Sequence, residues 1–241
     1  MAMPEALFRV RGLNAYYGRS HVVQNASLDV GSECVGLMGR NGAGKTALAR
    51  AIMGLTPPAA KGEVSLFGQP LLGLKPNEIS YAGVGYVPQG RQLFPSLTVL
   101  ETLKLTERRR GGEAGWTVDR VLELFPSLTK RLHASSANLS GGERSMLAIG
   151  RALMINPRFL ILDEPTEGLA PAIVERVAES LRALVAEGIP VLLIEQSLRA
   201  VELASSRLYL MNVGVIALEI ETAEFCGDKA LQDRFLGILD R

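Results

Sequence analysis

Short apolar runs recur in the first and last thirds of the chain and predict β-strands there. In the first third the candidate strands are Phe8–Leu13, Ser27–Val30, Glu33–Met38, Val64–Phe67 and Val84–Val87. In the last third, Phe159–Leu162 and Val191–Ile194 are apolar throughout. A strand without a polar face is typical of a parallel sheet that is buried on both sides.

Helical spacing of apolar residues marks several segments between and after these strands. Candidate helices are Lys45–Met53, Val99–Leu105, Val118–Phe125 and Arg144–Met154. One more helix is predicted to begin at about Pro171, because Ile173, Val177, Leu181 and Leu184 then recur at helical spacing. The β-α-β alternation of the last third predicts an α/β fold with a parallel sheet that is covered by helices on both faces.

Length and charge narrow the class of protein. The chain has 241 residues, 47% of them hydrophobic, which is enough for one large domain with a sizeable core and an inserted subdomain. Its 26 basic and 25 acidic residues leave a formal net charge of +1. A nucleic-acid partner usually requires a strongly basic face, so we expect no nucleic-acid binding.

Cysteine usage and the absence of targeting signals bear on location. Cys34 and Cys226 lie far apart without metal-type spacing, which favours a reduced cytosolic protein in which both are small apolar residues. The first seven residues do not resemble a signal peptide, and no apolar run is long enough to cross a bilayer. The basic run Arg108–Arg110 is interpreted as a solvated loop, with a phosphate or lipid site as the alternative.

A glycine-rich turn between a predicted strand and a predicted helix carries the strongest chemical signal. It consists of Gly39, Arg40, Asn41, Gly42, Ala43, Gly44, Lys45 and Thr46. This is the P-loop pattern, in which backbone N–H groups and a helix N-terminus surround phosphate oxygens. We predict that Lys45 reaches the β- and γ-phosphates and that Thr46 offers its hydroxyl to Mg²⁺. The alternative is an ordinary glycine turn.

Two acidic residues end the apolar strand Phe159–Leu162. They place carboxylates at the carboxyl edge of the sheet, where α/β proteins bind ligands. We predict that Asp163 holds Mg²⁺ and that Glu164 orients or deprotonates the attacking water. An apolar run that ends in Asp-Glu is common on its own, so the prediction depends on the P-loop.

A third element, Leu139–Glu143, opens the helical stretch that continues to Met154. Its residues Ser140, Gly141 and Gly142 would expose N–H donors to an anion at a helix start. A second phosphate-binding surface suits two copies packed head to tail, each completing the other's ATP site. The alternative is a capping serine followed by a flexible turn.

The order of P-loop, Leu139–Glu143 and Asp163-Glu164 resembles the ABC transporter ATPases over nearly the whole chain. The resemblance implies a RecA-like P-loop NTPase core at about residues 1–92 and 156–241, an inserted α-helical subdomain at about 93–155, and an N-terminal antiparallel β subdomain. It also implies that Tyr17 stacks on adenine and that Gln89 senses Mg²⁺ and the attacking water. Without the resemblance, Tyr17 would be a half-buried strand aromatic.

A narrower resemblance points to one importer branch. The segments Asn14–Gly18, Pro88–Arg91, Phe94–Val99 and Glu164–Pro171 are similar to the smaller ATPase subunit of branched-chain amino-acid importers, whose relatives serve urea and short amides. This implies transmembrane permease subunits, a second ATPase subunit, an indirect solute-binding protein, and a peripheral position on the cytoplasmic face of the cell membrane. A small-molecule kinase and a non-transport ABC ATPase are the alternatives.

Two positions depart from the pattern of the wider family. Ala170 stands where many ABC proteins carry an aspartate, which leaves the interface role of residues 168–170 without its usual acid. Gln196 stands where most carry a histidine that touches the γ-phosphate. Since a glutamine donates a hydrogen bond but does not titrate, we predict that this position adds no pH dependence to hydrolysis between about pH 6 and 8. The alternative is a surface glutamine after a strand.

Overall fold

The strands form two sheets in a computed structural model that describes residues 6–107 and 115–237. The strands are β1 Phe8–Tyr17, β2 Ser20–Val30, β3 Cys34–Met38, β4 Ala59–Leu66, β5 Gln69–Pro70, β6 Val84–Val87, β7 Phe159–Asp163, β8 Val191–Glu195, β9 Arg207–Asn212 and β10 Val215–Glu221. The helices are α1 Lys45–Ile52, α2 Pro76–Ala82, α3 Val99–Leu105, α4 Val118–Leu124, α5 Gly141–Leu153, α6 Pro171–Ala186, α7 Leu198–Ala204, α8 Thr222–Gly227 and α9 Lys229–Leu236.

The larger sheet has six strands in the order β10-β9-β3-β8-β7-β6. Strands β9, β3, β8, β7 and β6 are parallel, and β10 pairs antiparallel with β9 at one edge. The carboxyl ends of β3, β6, β7 and β8 therefore meet at one edge, where P-loop and acidic residues follow them. The predicted parallel sheet is confirmed, with an antiparallel edge strand added to it.

The smaller sheet is antiparallel, in the order β2-β1-β4-β5. It packs on one face of the larger sheet, with α1 between the two sheets. Alternate residues of β7 belong to the separate cores on the two faces of the larger sheet. Phe159 and Ile161 join the core beneath the antiparallel sheet, whereas Leu160 and Leu162 join the core beneath α5 and α6. Stacked rings of Phe8 and Phe159, with centroids 4.3 Å apart, connect the two sheets.

The middle of the chain is helical, as its spacing predicts. Val99, Leu103, Val121 and Leu147 pack into one buried cluster with the face of the larger sheet opposite α1. Close packing of α5 requires Gly150, because a Cβ atom there would lie 2.6 Å from Val121 Cγ1. Two short 3₁₀ turns, at Pro126–Arg131 and Ser136–Asn138, connect α4 to α5. The subdomain bounds at about residues 93 and 155 stay a prediction.

The strands β1 and β2 are longer than their apolar runs predict. Both continue toward the hairpin at Gly18 because their polar residues alternate with buried ones such as Ala15 and Val23. Cys34 is buried and Cys226 half-buried, and both are free. The basic run Arg108–Arg110 lies outside the described residues. Within the described ranges, none of the helices has the length and apolar character to span a bilayer.

Candidate nucleotide-binding site

The P-loop connects the carboxyl end of β3 to the amino end of α1. Gly42 and Gly44 have left-handed backbones, with φ of 78° and 105°, which favour glycine over other residues. A Cβ atom at Gly44 would lie 2.8 Å from the Val22 carbonyl oxygen. The Gly214 amide donates to the Ala43 carbonyl at 2.8 Å, so the turn between β9 and β10 holds the loop from outside. The predicted strand-loop-helix context is confirmed.

Lys45 is buried, and its ammonium lies inside the loop. Its Nζ donates to the carbonyl oxygens of Gly39 at 2.9 Å and Arg40 at 3.3 Å. The same atom lies 3.5 Å from Glu164 Oε1. A buried cation held by two carbonyls and a carboxylate is placed to exchange these partners for phosphate oxygens.

Asp163 ends β7 and faces α1, where Thr46 Oγ1 donates to its Oδ1 at 3.3 Å. Its other oxygen, Oδ2, is buried and has no hydrogen-bond partner among the described residues. Burial is the main cause that raises the pKa of Asp163 to about 6, and the Glu164 charge adds to it, while Thr46, Lys45 and the nearby hydroxyl of Tyr86 oppose it. An unpartnered buried carboxylate oxygen beside a hydroxyl fits a hard cation such as Mg²⁺, which prefers oxygen ligands.

Glu164 follows Asp163 with a left-handed backbone, φ 51°, an uncommon conformation for a residue with a side chain. Its amide donates to the Ile194 carbonyl at 2.8 Å, which fixes it beside β8. Its carboxylate accepts from Gln89 Nε2 at 2.9 Å and from Gln196 Nε2. The structure thus brings Lys45, Gln89, Glu164 and Gln196 together, although they come from four segments of the chain.

A cavity of about 270 Å³ opens over the P-loop. It is lined by Tyr17, Val22, Asn41, Gly42, Ala43, Gly44, Lys45, Thr46, Ala47, Gln89 and Glu164. Tyr17 ends β1 at its rim and is 37% exposed, so its ring is available for contact with a flat group. Arg40 is exposed, and a Cβ atom at Gly237 would collide with its guanidinium, so the end of α9 lies against it.

Ser140, Gly141 and Gly142 do not line this cavity. Ser140 is the exposed N-cap of α5, where its Oγ accepts from the Glu143 amide at 3.2 Å and its amide donates to Glu143 Oε2 at 2.8 Å. Ser140 therefore caps α5, as in the alternative interpretation of this segment. Its predicted contact with the nucleotide of a second cassette stays a prediction.

Four polar residues near the site have no signal in the sequence that identifies them. Arg91, Ser145, Thr166 and Glu195 connect the loops around Glu164 through hydrogen bonds, most of them to backbone groups. The Glu195 carboxylate accepts from Thr166 N at 2.9 Å and from Thr166 Oγ1 at 2.7 Å. Burial raises the pKa of Glu195, while these hydrogen bonds lower it. Arg91 and Thr166 lie in the importer-type segments Pro88–Arg91 and Glu164–Pro171, but those segments do not indicate the contacts that the two residues make.

Comparison with known proteins agrees with this arrangement. The profile of the ABC transporter family matches residues 23–167. The chain is 37% identical over 232 residues to the high-affinity branched-chain amino acid transport ATP-binding protein BraG of Pseudomonas aeruginosa, covering 93% of this chain and 97% of BraG. It is 36% identical over 212 residues to the Nod factor export ATP-binding protein I of Cupriavidus metallidurans, covering 87% of this chain and 69% of that protein.

Solved structures of ATP-binding cassettes share this fold. The crystal structure of a nucleotide-free ATP-binding cassette from an ABC transporter superposes with a TM-score of 0.83 at 25% identity, covering 98% of this chain and 100% of that one. Both kinds of similarity extend over almost the entire length of the chain. The chain belongs to the ABC transporter family and is the ATP-binding, ATP-hydrolysing cassette of a transporter.

Proposed function

We propose that this cassette energises the import of branched-chain amino acids. The observation that carries the proposal is the similarity to BraG, which extends over nearly the whole of both chains. The importer-type segments Asn14–Gly18, Pro88–Arg91 and Glu164–Pro171 support the same assignment. The Nod factor export protein is matched over a smaller share of its own length than BraG is. A urea or short-amide importer remains the second candidate, on the basis of the same segments.

The proposed chemistry uses groups that already touch one another. Glu164 orients and deprotonates the attacking water, while Lys45 leaves the Glu164 carboxylate and binds the β- and γ-phosphates. Gln89 and Gln196 donate hydrogen bonds that keep the Glu164 carboxylate in position. Their side-chain amides would also contact the attacking water and the γ-phosphate. Thr46, Asp163 and Gln89 would hold Mg²⁺, which supplies charge neutralisation at the phosphates.

The proposed working unit contains two cassettes. The P-loop and Tyr17 of one would bind ATP on one side, and Ser140, Gly141 and Gly142 of the other would close it from the opposite side. The exposed N-terminus of α5 suits this role, because its N–H groups and helix dipole favour an anion. The second cassette would be a different ATPase subunit in the transporter, or a second copy of this chain in isolation.

The proposed partners follow from the importer assignment. They are transmembrane permease subunits, which would hold the cassette on the cytoplasmic face of the cell membrane, and a solute-binding protein that acts indirectly through them. Residues 90–98, which follow Gln89, include the exposed Phe94 and the half-buried Leu93 and Leu97. This loop would transmit closure of the cassettes to the permease.

Uptake by the reconstituted transporter tests the proposal. The cassette is purified with the subunits it assembles with and placed in liposomes that contain ATP and Mg²⁺. The solute-binding protein is added outside, together with radiolabelled leucine, isoleucine, valine, urea or acetamide. Uptake of leucine, isoleucine or valine that requires ATP and disappears with Glu164→Gln would support the proposal. Uptake of urea or acetamide alone would replace it with the second candidate. ATP hydrolysis without uptake of any of the five solutes would contradict both candidates.

A further inference from the structure

Arg91 belongs to the importer-type segment after Gln89, yet none of the nucleotide chemistry above uses it. Its guanidinium is half-buried and makes two hydrogen bonds to different parts of the chain. Nε donates to Ser145 Oγ on α5 at 2.9 Å, and Nη2 donates to the Glu167 carbonyl oxygen at 2.7 Å. One side chain therefore joins the loop after β6, the helix α5 and the loop after β7.

Ser145 adds a second hydrogen bond to the one it receives from Arg91. Its hydroxyl accepts from Arg91 and donates to the Pro165 carbonyl, and its side chain is 1% exposed. The donor and acceptor roles are consistent, because a hydroxyl has one hydrogen to give and lone pairs to accept with. Consecutive residues Pro165, Thr166 and Glu167 are thus held on three sides, with Glu195 fixing Thr166 from β8.

The backbone at Arg91 is itself held in an uncommon conformation. Arg91 and Gln92 have φ of 64° and 40°, so two successive residues with side chains lie in the left-handed region. Arg151 of α5 donates to the Gln92 carbonyl at 2.8 Å and to the Arg91 carbonyl at 3.3 Å. Such strain persists only when surrounding contacts determine it, and it is concentrated at functional sites.

We propose that Arg91 is a positioning residue for ATP hydrolysis. It ties the loop of Gln89 to α5 and to residues 165–167, so that Gln89, Glu164 and the N-terminus of α5 keep one relative geometry during closure on ATP. The inference rests on the proposed roles of Gln89 and Glu164. Arg91 does not line the cavity over the P-loop, so its loss should slow turnover and leave nucleotide binding nearly unchanged.

Steady-state ATP hydrolysis and nucleotide affinity of the full chain test this split. Arg91→Ala is expected to lower kcat at least tenfold, with KM and the Kd for a fluorescent ATP analogue within threefold of the parent. Arg91→Lys keeps the charge but has no planar fork that reaches both acceptors, so a kcat between parent and Arg91→Ala is expected. Arg199→Ala is the control, because Arg199 is exposed and pairs only with Glu175 and Glu202 among the described residues.

A double-variant cycle separates positioning from general loss of structure. Arg91 and Ser145 share one hydrogen bond, and each also holds a carbonyl of residues 165–167, so the Arg91→Ala/Ser145→Ala pair should lose less kcat than the product of the two single losses. Independent, multiplicative losses would overturn the proposal, as would a kcat for Arg91→Ala within twofold of the parent. Glu164→Gln is assayed beside them: parental turnover in that variant refutes the role of Glu164, whatever Arg91 does.

Hydrogen exchange provides a readout that does not depend on turnover. In the full chain without nucleotide, the backbone amides of residues 164–170 and 141–147 should exchange their hydrogens at least threefold faster in Arg91→Ala than in the parent. The exchange rates of amides in α1 should not change. If the isolated chain does not hydrolyse ATP, this measurement decides the question. Exchange at residues 164–170 equal to that of the parent and of Arg199→Ala would overturn the proposal.

Discussion

Glu195 ends β8 as a carboxylate that is 2% exposed, and it holds the loop after Glu164 in place. Its Oε1 accepts from both the amide and the hydroxyl of Thr166, and its Oε2 lies 3.2 Å from the amide of Gln196. Replacing Glu195 with alanine would leave the buried Thr166 donors without partners. We therefore expect Glu195→Ala to destabilise the fold and to loosen the segment that carries Glu164.

The magnitude follows from the contacts. Hydrogen bonds to a charged acceptor contribute about 1.5–3 kcal/mol each, so the two strong bonds of Thr166 are together worth about 3–6 kcal/mol. Removing a buried charge returns part of this, because burial raises the pKa of Glu195 and so disfavours its ionised form. We expect a net loss of about 2–4 kcal/mol in the free energy of unfolding, which for a chain of this size lowers the Tm by about 5–15 °C.

Thermal unfolding of the chain without nucleotide, followed by circular dichroism at pH 7.5, measures this loss. The matched control is Glu202→Ala, which removes a half-exposed carboxylate that pairs with Arg199, and surface ion pairs contribute about 1 kcal/mol or less. A Tm for Glu195→Ala within 2 °C of the control, an interval set well below the expected shift, would refute the reasoning.

The remaining predictions concern the nucleotide site. Lys45→Ala should weaken binding of a fluorescent ATP analogue by about 10- to 150-fold, because a charge-assisted contact worth about 1.5–3 kcal/mol is lost; an unchanged Kd would contradict the role of Lys45. The pKa of Asp163, about 6, lies above its usual 3.8, so between about pH 4 and 6 the native state holds a proton that the unfolded state has lost. The parent therefore loses stability as pH rises through this range. Urea unfolding without nucleotide should therefore find Asp163→Asn more stable than the parent at pH 8, by about 1–3 kcal/mol, with a smaller difference at pH 5. Gln196→His should introduce a pH dependence of kcat near the histidine pKa of about 6.5, and a pH profile identical to that of the parent would count against a role for this position.

Much of the fold and the candidate site follows from local sequence patterns. The P-loop needs contiguous residues between a strand and a helix, so spacing alone identifies Gly39 to Thr46. The strands β7 and β8 are buried on both faces, so their apolar runs mark them without a period-2 pattern. Asp163 is identified because the carboxyl ends of parallel strands share one edge with the P-loop.

Other features depend on contacts between distant segments, which no local pattern encodes. Arg91, Ser145 and Arg151 act on backbone carbonyls up to 76 residues away, and a carbonyl is available at every residue whatever its side chain. The antiparallel strand β10 is half-exposed, and its outer face mixes Val215 and Ala217 with Glu219 and Glu221, so its residues do not alternate cleanly between apolar and polar. The contact of Glu164 with Gln89 and Gln196 becomes visible only when β6, β7 and β8 are placed side by side.

The most direct test of the account compares ATP hydrolysis and nucleotide binding by the parent and by Glu164→Gln, in Mg²⁺, with gel filtration of both proteins in ATP. The carboxylate of Glu164 lies among Lys45, Gln89 and Gln196, and glutamine keeps its shape but is not a base. We expect kcat to fall by about 10²–10⁴ in the variant, ATP still to bind, and an ATP-dependent dimer to accumulate. A variant that hydrolyses ATP as fast as the parent would contradict the role of Glu164.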